Sequence, residues 1–137
     1  MTFINPDSEQ IRLMLRSVHT IAVVGLSPNA ERPSYRVARA LQSLGFRIVP
    51  VHPQAVEVLG AQAYTDLACI PFKVDLVDVF RAAIHVPAIV DSCIALRLGC
   101  LWLQEGVIHN AAALRAQKAG IAVVMDRCLW RDCAALR

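Results

Sequence analysis

Five short apolar runs punctuate the chain, and stretches with helical spacing lie between them. Residues 21–26 (IAVVGL), 47–51 (RIVPV), 74–80 (VDLVDVF), 100–103 (CLWL) and 121–125 (IAVVM) read as strands. The third run carries Asp75 and Asp78, so its periodicity is less clean than that of the others. A first helix is predicted over 8–18, where Ile11, Leu15 and Val18 recur at helical spacing and Leu13 and Met14 widen the stripe. Further helices are predicted over 33–44, 86–98 and 109–119.

The punctuation agrees with these assignments. Asp7 or Ser8 caps the first helix after Pro6. Pro33 suits the first turn of the second, where its missing N–H costs nothing. Gly45, Gly99 and Gly120 stand where helices end. Pro53 stops the second strand. Residues 54–64 read as loop, with a short helix expected over 66–70. Residues 129–137, with Trp130 and Leu136, cover either an edge of the sheet or a partner.

Strands alternating with helices over short connections are βαβ units, and right-handed crossovers make the sheet parallel. The expected fold is α/β: a doubly wound, Rossmann-like, five-stranded parallel sheet with helices on both faces. Its expected strand order is 3-2-1-4-5, with the switch between the first and fourth strands. Residues 1–137 form one domain. Ligands of such sheets bind outside the carboxyl ends of the strands at the switch. That rule selects the residues just after each strand.

Composition narrows the classes. The hydrophobic share, 56%, suits strands covered on both faces. No apolar run reaches the roughly 20 residues that span a bilayer, and the first residues lack a basic region followed by an apolar one. A cytoplasmic protein without membrane contact is expected. The net charge of +3 and the lack of a Lys/Arg-rich run give no support to nucleic-acid binding. The five cysteines form no CxxC pair, and the four histidines do not join them at ligand spacing, so neither a disulfide framework nor a metal site is expected.

The first strand runs through Gly25 into a polar loop and the start of a helix. Unpaired N–H groups and the positive end of the helix dipole converge at such a corner, making it an anion site. Only one glycine of the dinucleotide fingerprint is present. Ser27, Arg32, Ser34 and Tyr35 occupy the corner instead; Ser34 can offer a hydroxyl and an N–H, and Arg32 can hold a phosphate bidentately. After the second strand, where a nicotinamide enzyme usually carries an acid for the ribose, stands His52. Arg81 and Arg127 follow the third and fifth strands and could join Arg32 in a cationic rim. No catalytic triad or carboxylate pair is evident. Glu105 is a candidate base, and Cys128, beside Arg127, a candidate reactive thiol.

The stretches IAVVGLSPNAERPSYRVARALQSLGFRIVPVHP, VLGAQAYTDLACIP, VDLVDVFR, LWLQEG and VMDRC, taken in this order at strand ends, carry a family resemblance. The chain resembles the small single-domain CoA-binding proteins, a stand-alone Rossmann-type module related to the CoA-binding domain of succinyl-CoA synthetase alpha subunits. The resemblance implies coenzyme A or an acyl-CoA as ligand, with its adenosine diphosphate across the strand ends. On that reading Ser27, Arg32, Ser34 and Tyr35, with Gly25, meet the phosphates. Val51, His52 and Pro53 border the adenine and the phosphorylated ribose. Phe80, Arg81 and Val86 form the next wall, and Gln104 and Gly106 the far side. The family often has Asn where this chain has His52. The ligase's second domain and phosphohistidine loop are absent from the sequence, so the resemblance implies binding and no reaction.

Two alternatives stay open at this stage: an NAD(P)-dependent oxidoreductase with a degenerate fingerprint, and a thiol-redox protein using Cys128. A homodimer or a separate protein partner is equally undecided.

Overall fold

The computed structural model describes residues 2–54 and 56–136. Helix α1 (Ser8–Arg16) starts at a capping box: the Asp7 carboxylate accepts from Gln10 N, and the Gln10 side chain accepts from Asp7 N. Then follow β1 (Thr20–Val24), α2 (Pro33–Ser43) and β2 (Arg47–Val51). A small antiparallel hairpin, β3 (Glu57–Val58) and β4 (Ala61–Gln62), comes next. The remaining elements are β5 (Leu76–Val79), α3 (Val86–Ala95), β6 (Cys100–Leu103), α4 (Asn110–Lys118), β7 (Ala122–Met125) and α5 (Leu129–Ala134). Single 3-10 turns at Leu67–Cys69 and Ala83–His85 precede β5 and α3.

The main sheet has five parallel strands. Its helices lie on both faces, as the alternation predicts. One face packs under α2 and α5, with Leu26, Leu41, Trp102 and Leu129 wholly buried. The other packs under α3 and α4 around Val77, Val79, Leu101 and Ala113. Each fully buried aliphatic side chain of this kind stabilises by roughly 1.5–3 kcal/mol. Trp102 also finds a partner for its indole N–H, which donates to the Arg127 carbonyl at 2.8 Å. Residues 129–134 thus form a helix on a face of the sheet, while Trp130 and Leu136 stay exposed.

The strand order corrects one expectation. It is β2-β1-β5-β6-β7, not the 3-2-1-4-5 arrangement: the third main strand lies inside, between β1 and β6. The reason is visible at the outer edge of β2, where that strand was expected. Tyr64 N donates to Pro50 O at 3.0 Å, and His52 N donates to Tyr64 O at 2.9 Å. The hairpin and Tyr64 therefore occupy the edge, and the chain crosses back beneath α3 to the far side of β1. Asp75 fixes this placement. Its carboxylate accepts from His19 N and Thr20 N, both at 2.9 Å, tying the start of β5 to the start of β1. Burial pushes the Asp75 carboxyl up, but these two N–H donors and nearby Lys73 bring it below its ordinary value. The switch point consequently lies between β1 and β5.

The opposite edge, β7, is held by a side chain. Asn5 donates from Nδ2 to Met125 O and accepts at Oδ1 from Met125 N, each at 2.8 Å.

Candidate functional site

At the carboxyl ends of β1, β2 and β5 the chain leaves a crevice of about 440 Å³. Gly25 is its floor. With φ +86° it lies in the left-handed region, and a Cβ there would meet the Phe80 carbonyl oxygen at 2.5 Å and Arg81 Cδ at 2.9 Å. The missing side chain thus lets the end of β5 and the Arg81 side chain close over the end of β1. The Gly25 N–H is already used on Val51 O, so all three strand ends meet at this residue.

The loop after Gly25 folds on its own side chains. Ser27 Oγ accepts from Asn29 N at 3.1 Å, and Asn29 Oδ1 accepts from Glu31 N at 2.9 Å. Ser34, in the first turn of α2, is buried; its Oγ accepts from Ser27 N at 3.0 Å, which pins loop to helix. The helix start differs from those of α1 and α4. α1 has its capping box, and α4 has His109 Nδ1 accepting from Ala112 N. α2 has Arg32 at the N-cap and no side-chain cap bond. Its positive end therefore opens on the crevice without a protein carboxylate or hydroxyl spent on it.

Arg32 and Arg81 both line this space, with His52 and Pro53 from the end of β2. His52 Nδ1 accepts from Gln54 N at 3.1 Å, which assigns the proton of the neutral ring to Nε2. Among the described lining residues there is no Asp or Glu. The crevice is cationic, rich in N–H and O–H donors, and suited to phosphate. A larger hollow of about 630 Å³ opens at the other, amino-terminal end of the strands, around Phe72, Lys73 and Arg97. No α-helix starts among its described lining residues, so size alone does not make it the site.

The structure brings together Gly25, Ser27, Arg32, Ser34, His52, Pro53, Phe80 and Arg81. The other expected positions fall elsewhere. Tyr35 turns toward the core under α2, with the Arg39 guanidinium 6.0 Å from its ring centroid. Val51 belongs to a neighbouring hollow. Val86 is completely buried in the core on the α3 and α4 face. Gln104 is buried and accepts from Leu129 N at 3.3 Å; Gly106 N donates to Asp126 Oδ1 at 2.7 Å. Both are spent on holding the β7–α5 turn.

The rim also loses Arg127, whose guanidinium is paired with Asp132 at 2.6 and 3.0 Å. The Asp132 hydrogen bond raises Arg127 further above its ordinary value. Glu105 is paired with Arg131 at 3.0 Å. Cys128 is half-buried at the start of α5, outside the crevice lining. Cys93 is a packing residue: burial pushes its thiol up to about 12.

This is a Rossmann-like domain with a cationic crevice at its topological switch point. The chain belongs to the CoA binding domain family, whose model matches residues 19–133. It is 34% identical over 125 residues to the protein YneT of Bacillus subtilis, covering 91% of this chain and 93% of that one. The solved structure of a Pyrococcus horikoshii protein superposes with a TM-score of 0.90 at 31% identity, over 99% of both chains. Part of the chain is also similar to the ADP-forming acetate–CoA ligase II of Archaeoglobus fulgidus, at 30% identity over 76 residues. That match covers 54% of this chain and 11% of the ligase. No helix among the described residues is long and apolar enough to cross a membrane.

Proposed function

We propose that this protein binds coenzyme A, free or as an acyl ester, in the crevice at the β1/β5 switch, and that it turns nothing over itself. The observation that carries this reading is the uncapped start of α2 opening between Arg32 and Arg81. Coenzyme A brings a 5′-pyrophosphate and a 3′-phosphate on its ribose. Ser34, the first-turn N–H groups and two guanidiniums answer that charge, and the lack of an acid after β2 suits a phosphorylated ribose better than the free diol of NAD. A handling role follows: the bound nucleotide is carried, sensed or presented.

Calorimetric titration tests it. Coenzyme A is expected to bind the wild type, dephospho-coenzyme A more weakly, and NAD not at all. Arg32→Ala is expected to weaken coenzyme A about tenfold, in line with one charged hydrogen-bonding partner lost. Acetyl-coenzyme A held with the protein should release no free thiol above the buffer rate. Heat with NAD and none with coenzyme A would overturn the reading; thiol release would overturn its non-catalytic part.

A further inference from the structure

Helix α2 turns one sign of charge to solvent. Ser34, Ala38 and Leu41, at i, i+4 and i+7, are its buried side. Arg32, Arg36 and Arg39 repeat that spacing, and at about 100° per residue they fall on the opposite side. All three are exposed, and between Pro33 and Ser43 the helix has no Asp or Glu. Arg32 also lines the crevice, so the row begins there and runs about 10 Å along the helix.

Arginines on or beside the other helices are paired. Arg12 meets Glu9, Arg115 meets Asp91, Arg127 meets Asp132 and Arg131 meets Glu105. Among the described residues Arg32, Arg36 and Arg39 have no ion pair and no side-chain hydrogen bond. Arg39 meets the ring of Tyr35 at 6.0 Å, which leaves its charge in place. Arg32 and Arg36 are four residues apart, Arg36 and Arg39 three, and like charges at both spacings repel. Arg32 and Arg36 also stand at the positive end of the helix dipole, where cations are unfavourable. The row therefore works against the fold, and no acid among the described residues offsets it.

We propose that this face of α2 docks an acidic segment of a partner protein, with carboxylates on successive turns of a helix to match the three guanidiniums. Three charges are too few for a nucleic-acid duplex, whose binders neutralise roughly six to ten phosphates. They also fall short of the roughly four to eight basic residues that hold a protein to an anionic membrane. A partner seated here lies beside the crevice, with Arg32 common to both. The inference stands on α2 alone and does not need the coenzyme A reading.

The probe is a labelled, alanine-based helical peptide with three glutamates at i, i+4 and i+7, titrated beside its glutamine counterpart and followed by fluorescence anisotropy. The wild type is expected to prefer the glutamate peptide about tenfold, the product of three exposed ion pairs. The preference should fade in about 0.3 M salt and shrink to about twofold in the double variant Arg36→Gln, Arg39→Gln. Arg36→Gln alone removes both repulsions, so at low salt it should melt about 1–3 °C above the wild type. Equal binding of the two peptides, an undiminished preference in the double variant, or a lower melting temperature for Arg36→Gln would overturn the proposal. Tighter binding of a DNA duplex or of phosphatidylserine vesicles than of the glutamate peptide would overturn it too. None of these results bears on whether coenzyme A binds.

Discussion

Gly25→Ala is expected to lower the unfolding free energy by about 2–4 kcal/mol, the sum of a left-handed backbone forced on alanine and a clash with main chain. The clash sets the size of the effect. The nearest obstacle to the new methyl is the Phe80 carbonyl oxygen, at 2.5 Å, and backbone cannot rotate away as a side-chain tip can. Relief requires β1 and β5 to part at their carboxyl ends, where they are joined by Phe80 N donating to Val24 O at 2.8 Å. Urea denaturation should show a lower midpoint with an unchanged slope, and the melting temperature should drop by roughly 10 °C. Binding of coenzyme A, measured where the variant is still folded, should fall as well, because Arg81 lies over this residue. A variant as stable as the wild type would mean that the strand ends yield freely.

Asp78→Val is expected to stabilise the protein at neutral pH by about 1–3 kcal/mol. Asp78 sits in the middle of β5 with no exposure, between Val23 on β1 and Trp102 on β6, on the face covered by α2 and α5. Neither carboxyl oxygen has a hydrogen-bond partner among the described residues. Burial raises its pKa well above the ordinary 3.8, so the folded protein holds this acid protonated over a range where the unfolded chain ionises it. The stability that the raised pKa contributes is fully present below 3.8 and is lost as pH rises from there through the native value. Across that window the slope for this one group approaches 1.4 kcal/mol per pH unit, about the free energy of one proton taken up per unit. Asp75 has the opposite sign and a separate window: its lowered pKa contributes stability above 3.8 that disappears as pH falls below it. Denaturation at a series of pH values should therefore show the loss above pH 4 in the wild type and not in Asp78→Val. An identical profile in the two proteins would mean that Asp78 is not held neutral in the fold.

Much of this was legible in the residues. Apolar runs bounded by Gly and Pro located all five main strands, and β2 and β6 coincide with the runs from which they were read. The rule that ligands sit beyond strand ends led to Gly25, Arg32, Ser34, His52 and Arg81, which do share one crevice. Strand order was not legible, because strands buried on both faces look alike. What excludes β5 from the edge is backbone hydrogen bonding by Tyr64, which leaves no mark in side-chain pattern. Gln104, Gly106 and Arg127 also stand after strands, but sequence does not say that their polar groups are consumed by Leu129, Asp126 and Asp132.

The two borders of the sheet bear on how copies of this chain can meet. A parallel sheet with bare margins recruits further strands, its own or another chain's, and grows into fibres. Here one margin is closed by the main chain around Tyr64 and the other by the Asn5 amide, which imitates the donor and acceptor of a neighbouring strand at Met125. Self-association through either margin must first displace these hydrogen bonds.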